Sequence, residues 1–337
     1  MKLGIIGLPG SGKTTIFETL TGDFADTARK GEKRMGVVEV PDERIGRLTG
    51  LYRPRKTTPA RVEYLLPGLA DKQNRWAQVR DCDALIHVVR NFTGTLFEEK
   101  SPGRDFHALD QEMILADLAA AENKIEKLTL ALRKGREIDR EELRLLEECR
   151  EKLSDGIPLR RIPELAAAPV LKGFAFASGK PLLILFNNED DDENPAVPEE
   201  IPSRDFLIPV KGRVEHELAR MGREEAADFL EEYRIGSPAM DRVIRESYRL
   251  LGLISFFTVG PDEVRAWTVP RQTAAVEAAT VIHSDIKRGF IRAEVLAYDD
   301  LLAAGSYQGA RKLGNVRLEG KTYPVRDGDI IDFRFNV

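Results

Sequence analysis

The chain opens with a short continuous apolar run, Leu3 to Gly7 (LGIIG), the pattern of a strand buried on both faces. Helical spacing follows at once, with Ile16, Phe17 and Leu20 on one face of Thr14–Leu20. Similar apolar runs at Gly36–Val40, Val62–Leu66, Ala84–Val89, Pro181–Phe186 and Phe206–Val210 predict further strands. Short apolar strands separated by helical or loop segments predict a doubly wound, mainly parallel α/β sheet.

The period changes between residues 107 and 155. Leu109, Met113, Ala116, Ala120, Lys124, Lys127 and Ala131 step along at helix spacing, and Lys134-Gly135 breaks the run. Asp139 with Glu142 forms a capping box ahead of a second helix that carries Leu143, Leu146 and Leu153. This predicts an inserted antiparallel helical hairpin; two ordinary surface helices of the sheet domain are the alternative. Residues 189–200 (EDDDENPAVPEE) read as a solvated acidic linker, and Arg213–Gly252 as another helical pair. From Ile254 the pattern alternates (FFTVG, EVRAWTV, IRAEVLA, VRLEG, YPV, DIIDFRFNV), with Asp-Gly and Glu-Gly turns, and predicts a separate α+β domain. The expected organisation is a first domain over 1–250, interrupted by the hairpin at 107–155, and a second over 251–337.

Composition narrows the class. At 337 residues, two or three domains are expected. With 42% hydrophobic and 32% charged residues the chain is neither disordered nor membrane-like, and no run of 18 apolar residues occurs. A net charge of −5 excludes a generally basic nucleic-acid coat, and no DNA sequence recognition is expected. Two cysteines, Cys82 and Cys149, are too few for a disulfide framework and fit a reducing compartment. The amino terminus passes straight from a short strand into glycines and a lysine, unlike a secretory signal. A cytoplasmic protein is expected.

The chemistry is concentrated in Gly7-Leu-Pro9-Gly10-Ser11-Gly12-Lys13-Thr14-Thr15, which satisfies G-x-x-x-x-G-K-[ST] between a buried strand and an amphipathic helix. Gly10 and Gly12 let successive N–H groups converge on one concavity, and the helix start adds partial positive charge. Lys13 supplies a full charge to the distal phosphates, and the Thr14 hydroxyl is placed to ligate a nucleotide-borne Mg²⁺. The expected phosphate-binding residues are Pro9, Gly10, Ser11, Gly12, Lys13, Thr14 and Thr15.

The stretches GIIGLPGSGKTTIFETLTG, GVVEVPDERI, RDCDALIHVVRNF and ILADLAAAENKIEKL, with IHSDIKRGFIRAEVLAYDDL and RLEGKTYPVRDGDIIDFRFNV near the carboxyl terminus, resemble the YchF/Obg-like ATPase family. The resemblance implies a P-loop G domain, an inserted coiled-coil hairpin and a C-terminal TGS domain of ubiquitin-like β-grasp fold. It also implies ATP or GTP with Mg²⁺, slow hydrolysis, and association with ribosomal RNA or ribosomal proteins.

The sequence departs from that family at the catalytic side. Where a DxxG motif should follow Val62–Leu66, the chain reads Leu65-Leu66-Pro67-Gly68. No threonine stands a few residues before Gly36, Thr27 being too far upstream, and the loop after Phe92 lacks the family's histidine. Asp71, Glu63, Glu32 and His87 are conceivable stand-ins, although His87 reads better as a strand histidine packed under the sheet; no catalytic residue is assigned. For the base, Asn187 and Asp190 keep an Asn-x-x-acid spacing after PLLILF. Asn188 replaces the usual lysine, and Lys211-Gly212 stands where Ser-Ala would cap the ring. ATP and GTP therefore both remain open. The expected function is a nucleotide-binding, ribosome-associated regulator with weak hydrolysis; the alternative is a hydrolysis-dead interaction module acting through its second domain and hairpin. A small-molecule kinase leaves the C-terminal domain without a role.

Overall fold

The computed structural model describes residues 1–24, 31–68, 72–93, 99–192, 197–199, 201, 206–221, 225–226 and 238–336. In chain order its strands are β1 Lys2–Ile6, β2 Arg34–Glu39, β3 Lys56–Thr58, β4 Arg61–Leu66, β5 Ala84–Asn91, β6 Leu182–Asn188, β7 Leu207–Val210, β8 Leu253–Val259, β9 Glu263–Pro270, β10 Phe290–Ala297, β11 Arg317–Glu319 and β12 Asp329–Phe335. The helices used below are α1 Lys13–Thr21, α2 Glu43–Tyr52, α3 Lys72–Gln78, α4 Pro102–Arg133, α5 Arg140–Ser154, α6 Pro163–Ala166, α7 Gly212–Leu218, α8 Ala239–Leu250 and α9 Ala275–Ile282.

The first sheet has the order β2-β4-β1-β5-β6-β7. Its central ladders are parallel: Gly4 pairs with Leu65 and Leu85, and Val89 with Phe186. All six apolar runs singled out in this part of the sequence are its strands. The alternation of strand and helix that predicts a doubly wound P-loop fold is thus realised. Strand order reverses beside β1, and in open parallel sheets ligands settle at the carboxyl ends of strands near such a reversal.

The hairpin is present as α4 and α5, a few residues longer at its start than expected. Lys134-Gly135 forms the break, with Gly135 at φ 69°. Asp139 caps α5 by accepting from the N–H groups of Glu141 and Glu142. The returning half of the expected capping box does not form, because the Glu142 carboxylate is drawn 2.9 Å from Lys124 on the facing helix. Ile125, Leu128, Leu146, Cys149 and Leu153 fill the seam. At its root, buried Asp117 accepts from the N–H groups of Ala177 at 2.9 Å and Ser178 at 2.7 Å, and Arg160 reaches Asp110 at 2.5 Å.

The chain divides into two compact units: residues 1–37 with 63–243, and residues 38–62 with 244–337. The sequence places this boundary at 250. The structure instead gives residues 38–62 and 244–250 to the second unit. The reason is backbone pairing: β3 runs parallel to β9, and Lys56 N–H donates to the Asp262 carbonyl at 3.1 Å. Thr58 adds a 2.6 Å bond to Glu263. The motif PDER is part of this unit, where Asp42 caps α2 and Arg44 bridges Asp42 and Asp327 at 2.8 Å each. No apolar period flagged α2 and β3 beforehand.

The second sheet has the order β11-β10-β12-β8-β9-β3, with β8–β9 antiparallel and β12 parallel to β8. One face buries Phe256, Trp267, Phe290 and Phe333 against the alanines of α9, the β-grasp layout that the resemblance implies. The run YPV, expected as a strand, makes only an isolated bridge, Ala274 with Pro324, because Pro324 has no N–H to extend a ladder. The helical pair expected over Arg213–Gly252 appears as α7 and α8, its middle lying outside the described residues. Among the described residues no helix is long and apolar enough to cross a membrane.

Candidate functional site: the phosphate loop

The loop between β1 and α1 has the geometry that its glycines allow. Gly10 and Gly12 sit at φ 76° and 93°, in the left-handed region that side chains disfavour. Gly12 is also the N-cap of α1, and no side chain caps that helix, so its first-turn N–H groups point outward for an anion. A Cβ at Gly7 would stand 2.6 Å from the Val88 carbonyl oxygen, and one at Gly12 would collide with the Asn187 amide. Buried Ser11 leaves its Oγ without a partner among the described residues. Thr14 is exposed on the first turn of α1, and Thr15 is half-buried.

Lys13 folds back, its Nζ donating to the Leu8 carbonyl at 2.6 Å. It lines a cavity of about 110 Å³ with Gly7, Pro9, Pro67, Gly68 and Arg75. Burial, and after it the Arg75 guanidinium, bring the Lys13 ammonium down to about 8. An anion placed there meets a lysine that is partly desolvated and, among the described residues, has no carboxylate beside it. Gly68 donates its N–H to Gln78 Oε1 at 2.8 Å, which fixes the turn after β4.

Asn187, expected at the base, spans two loops. Its Nδ2 donates to the Ser11 carbonyl at 3.1 Å, and its Oδ1 accepts the Gly212 N–H at 2.9 Å. Both ends of the amide are thereby used to hold the phosphate loop against the start of α7. Asn188 is buried, donating to the carbonyls of Phe186 and Val210 and accepting from Asn91, so it offers no surface to a ring. The Asp190 carboxylate meets Arg213 Nε at 3.0 Å.

The catalytic stand-ins separate by position. His87 is fully buried in β5 and stacked on Phe106 at 5.2 Å between centroids. Burial, then the charges of Arg160 and Lys13, push its imidazole down to about 3, so it is neutral and shielded. Glu63 pairs with Lys2 at the start of β1, the end of the sheet away from the loop. Exposed Glu32 lies near Gly68, a Cβ on which would stand 2.7 Å from the Gly31 carbonyl. Asp71, Thr27 and the loop after Thr93 lie outside the described residues.

A Mg²⁺ carried by a nucleotide would have the exposed Thr14 hydroxyl as a ligand from this chain. Its usual carboxylate partner is gone: Leu65 occupies that position and is packed with Ile6, Val79, Leu85 and Met113. Among the described residues no group of three carboxylates, histidines or cysteines could hold a metal. Among the described residues, the donor set fits an ion carried by the nucleotide's own phosphates and one hydroxyl. Sequence reasoning missed Arg75, which sits in no motif; it placed Lys211-Gly212 at the ring-capping position without foreseeing the Gly212 N–H as a donor to Asn187.

Residues 253–336 match the YchF-GTPase_C family, described as a protein of unknown function (DUF933). The chain is 38% identical over 365 residues to the ribosome-binding ATPase YchF of Bacillus subtilis, covering all of both chains. It is 37% identical over 363 residues to the Haemophilus ducreyi protein of the same name, covering 100% of this chain and 99% of that one. The Schizosaccharomyces pombe YchF GTPase structure superposes with a TM-score of 0.83 at 26% identity, covering 99% of this chain and 97% of that one. Matching from end to end in sequence and in fold, this chain belongs to the YchF family.

Proposed function

We propose that the chain binds ATP or GTP at the loop Pro9–Thr15, hydrolyses it slowly, and acts in the cytoplasm in association with the ribosome. The observation that carries this reading is the loop itself: two left-handed glycines, an uncapped helix start, and a desolvated lysine that lines the adjoining cavity. The family's ribosome-binding members supply the partner class. The loop amides and Lys13 hold the phosphates, and Asn187 keeps the loop in register with α7. When bound, Mg²⁺ would neutralise phosphate charge, with Thr14 as the ligand from this chain.

Slow turnover follows from what the site lacks. Phosphoryl transfer depends on positioning and charge neutralisation. Losing one positioned electrostatic group costs about 10²–10³ in rate. Leu65 removes one such group and His87 cannot replace it. The same observation favours a second reading, a nucleotide-binding module without hydrolysis. Single-turnover phosphate release, with and without ribosomes, decides between them. Release above background that disappears in Lys13→Ala supports the enzyme; release equal to that variant's under both conditions supports the module.

A further inference from the structure

Among the described residues, the cavity beside the phosphate loop is lined by two cations, Lys13 and Arg75, and by no carboxylate. Lys13 comes from the start of α1, and Arg75 from α3, which follows β4. Between them lie Pro67 and Gly68, at the position where the family's metal-side motif departs from this sequence. Compared with that motif, this wall has exchanged a carboxylate for a guanidinium: Leu65 has joined the core and Arg75 has joined the cavity. Glu112 on α4 holds the Arg75 fork at 3.0 Å, and both side chains are half-buried. Such a partly solvated pair orients an arginine at small energetic cost. Arginine's planar fork matches two phosphate oxygens at once and stays charged at any working pH.

We propose that Arg75 is the protein's second cation for the terminal phosphate of a bound nucleoside triphosphate, supplying part of its charge neutralisation from the protein itself. The proposal rests on the reading of Pro9–Thr15 as the phosphate loop. It makes triphosphate binding selective over diphosphate and only weakly dependent on Mg²⁺. A diphosphate, ending nearer the loop, meets Lys13 and the amides but not the α3 wall. The competing explanation is a strut, with Arg75 serving only to join α3 to α4 through Glu112.

The test is calorimetric titration of the full chain with ATP, ADP, GTP and GDP, each in Mg²⁺ and in EDTA, for the wild type and for R75Q, R75K, E112Q and K13A. A charge-assisted phosphate contact of this kind is expected to be worth about tenfold in affinity. R75Q should therefore weaken the triphosphate about tenfold in EDTA while leaving the diphosphate within about twofold. R75K should fall between wild type and R75Q, and E112Q should retain or tighten triphosphate binding. Equal loss for tri- and diphosphate in both R75Q and E112Q identifies a strut and overturns the proposal, as does unchanged triphosphate binding in R75Q. If K13A weakens both nucleotides while R75Q changes neither, the phosphate loop stands and Arg75 alone is refuted. If the wild type binds none of the four, the loop reading fails and this one with it.

Discussion

The two walls of the phosphate site have fared differently. The wall after β1 keeps every element of a phosphate loop: left-handed glycines, a helix start free of any side-chain cap, and Lys13. The wall after β4 keeps the turn glycine, Gly68, but has surrendered its metal-side position to the apolar core, where Leu65 is 1% exposed. Binding an anion needs backbone N–H groups and one cation, which the first wall supplies alone. Positioning a metal and a water needs both walls. On the proposed function, this asymmetry would let nucleotide binding persist where turnover is weak.

The comparison breaks most visibly at Leu65. If that wall had merely lost an accessible carboxylate, Leu65→Asp would restore it. Instead Leu65 packs with Ile6, Val79 and Met113, so the substitution buries an unpaired charge and should destabilise the first unit by about 3–5 kcal/mol. Urea unfolding followed by Trp76 fluorescence in a Trp267→Phe background measures this. A variant as stable as its parent would show that the position is open to the site.

On the first wall, Gly12→Ala strains a backbone held at φ 93° and collides with Asn187. Nucleotide affinity should fall about 100-fold while the midpoint of unfolding moves by only a few degrees. Asn187→Ala removes the two bonds that tie Ser11 to Gly212. It should weaken nucleotide binding and first-unit stability together, by about 1–3 kcal/mol, with equal loss for ATP and GTP. A selective loss of GTP would instead return Asn187 to the base.

The smallest effect comes from beneath the site. His87 is held neutral down to about pH 3, whereas in the unfolded chain an imidazole titrates near 6.5. Between these values the unfolded state binds the extra proton, so stability is lost as pH falls below 6.5. One such group contributes up to about 2 kcal/mol between pH 6.5 and 5. His87→Leu should flatten that part of the pH profile without altering nucleotide affinity. An unchanged profile would mean that the imidazole takes up a proton in the folded chain.

Much of this was legible in the residues. Apolar runs announced the strands of the first sheet, most plainly the central β1, β5 and β6, which are buried on both faces and carry no alternation. Lys134-Gly135 and Asp139 marked the ends of the hairpin helices, because breaks and caps act locally. The membership of residues 38–62 in the second unit was not legible: it depends on β3 meeting β9, about 200 residues along the chain, and three residues of strand leave no pattern. Asn187 was read by spacing as a base contact, whereas its bonds to Ser11 and Gly212 depend on how three loops converge. Arg75 carries no motif, and only the fold shows that its helix borders the cavity.

The central claim is that the wall after β1 suffices to hold a nucleotide's phosphates. Calorimetric titration of ATP and GTP into the wild type and Lys13→Ala tests it most directly. The account predicts saturable binding near micromolar for at least one nucleotide, weakened about 100-fold or more in the variant. A folded wild type that binds neither, or a variant that binds as tightly as its parent, would contradict it.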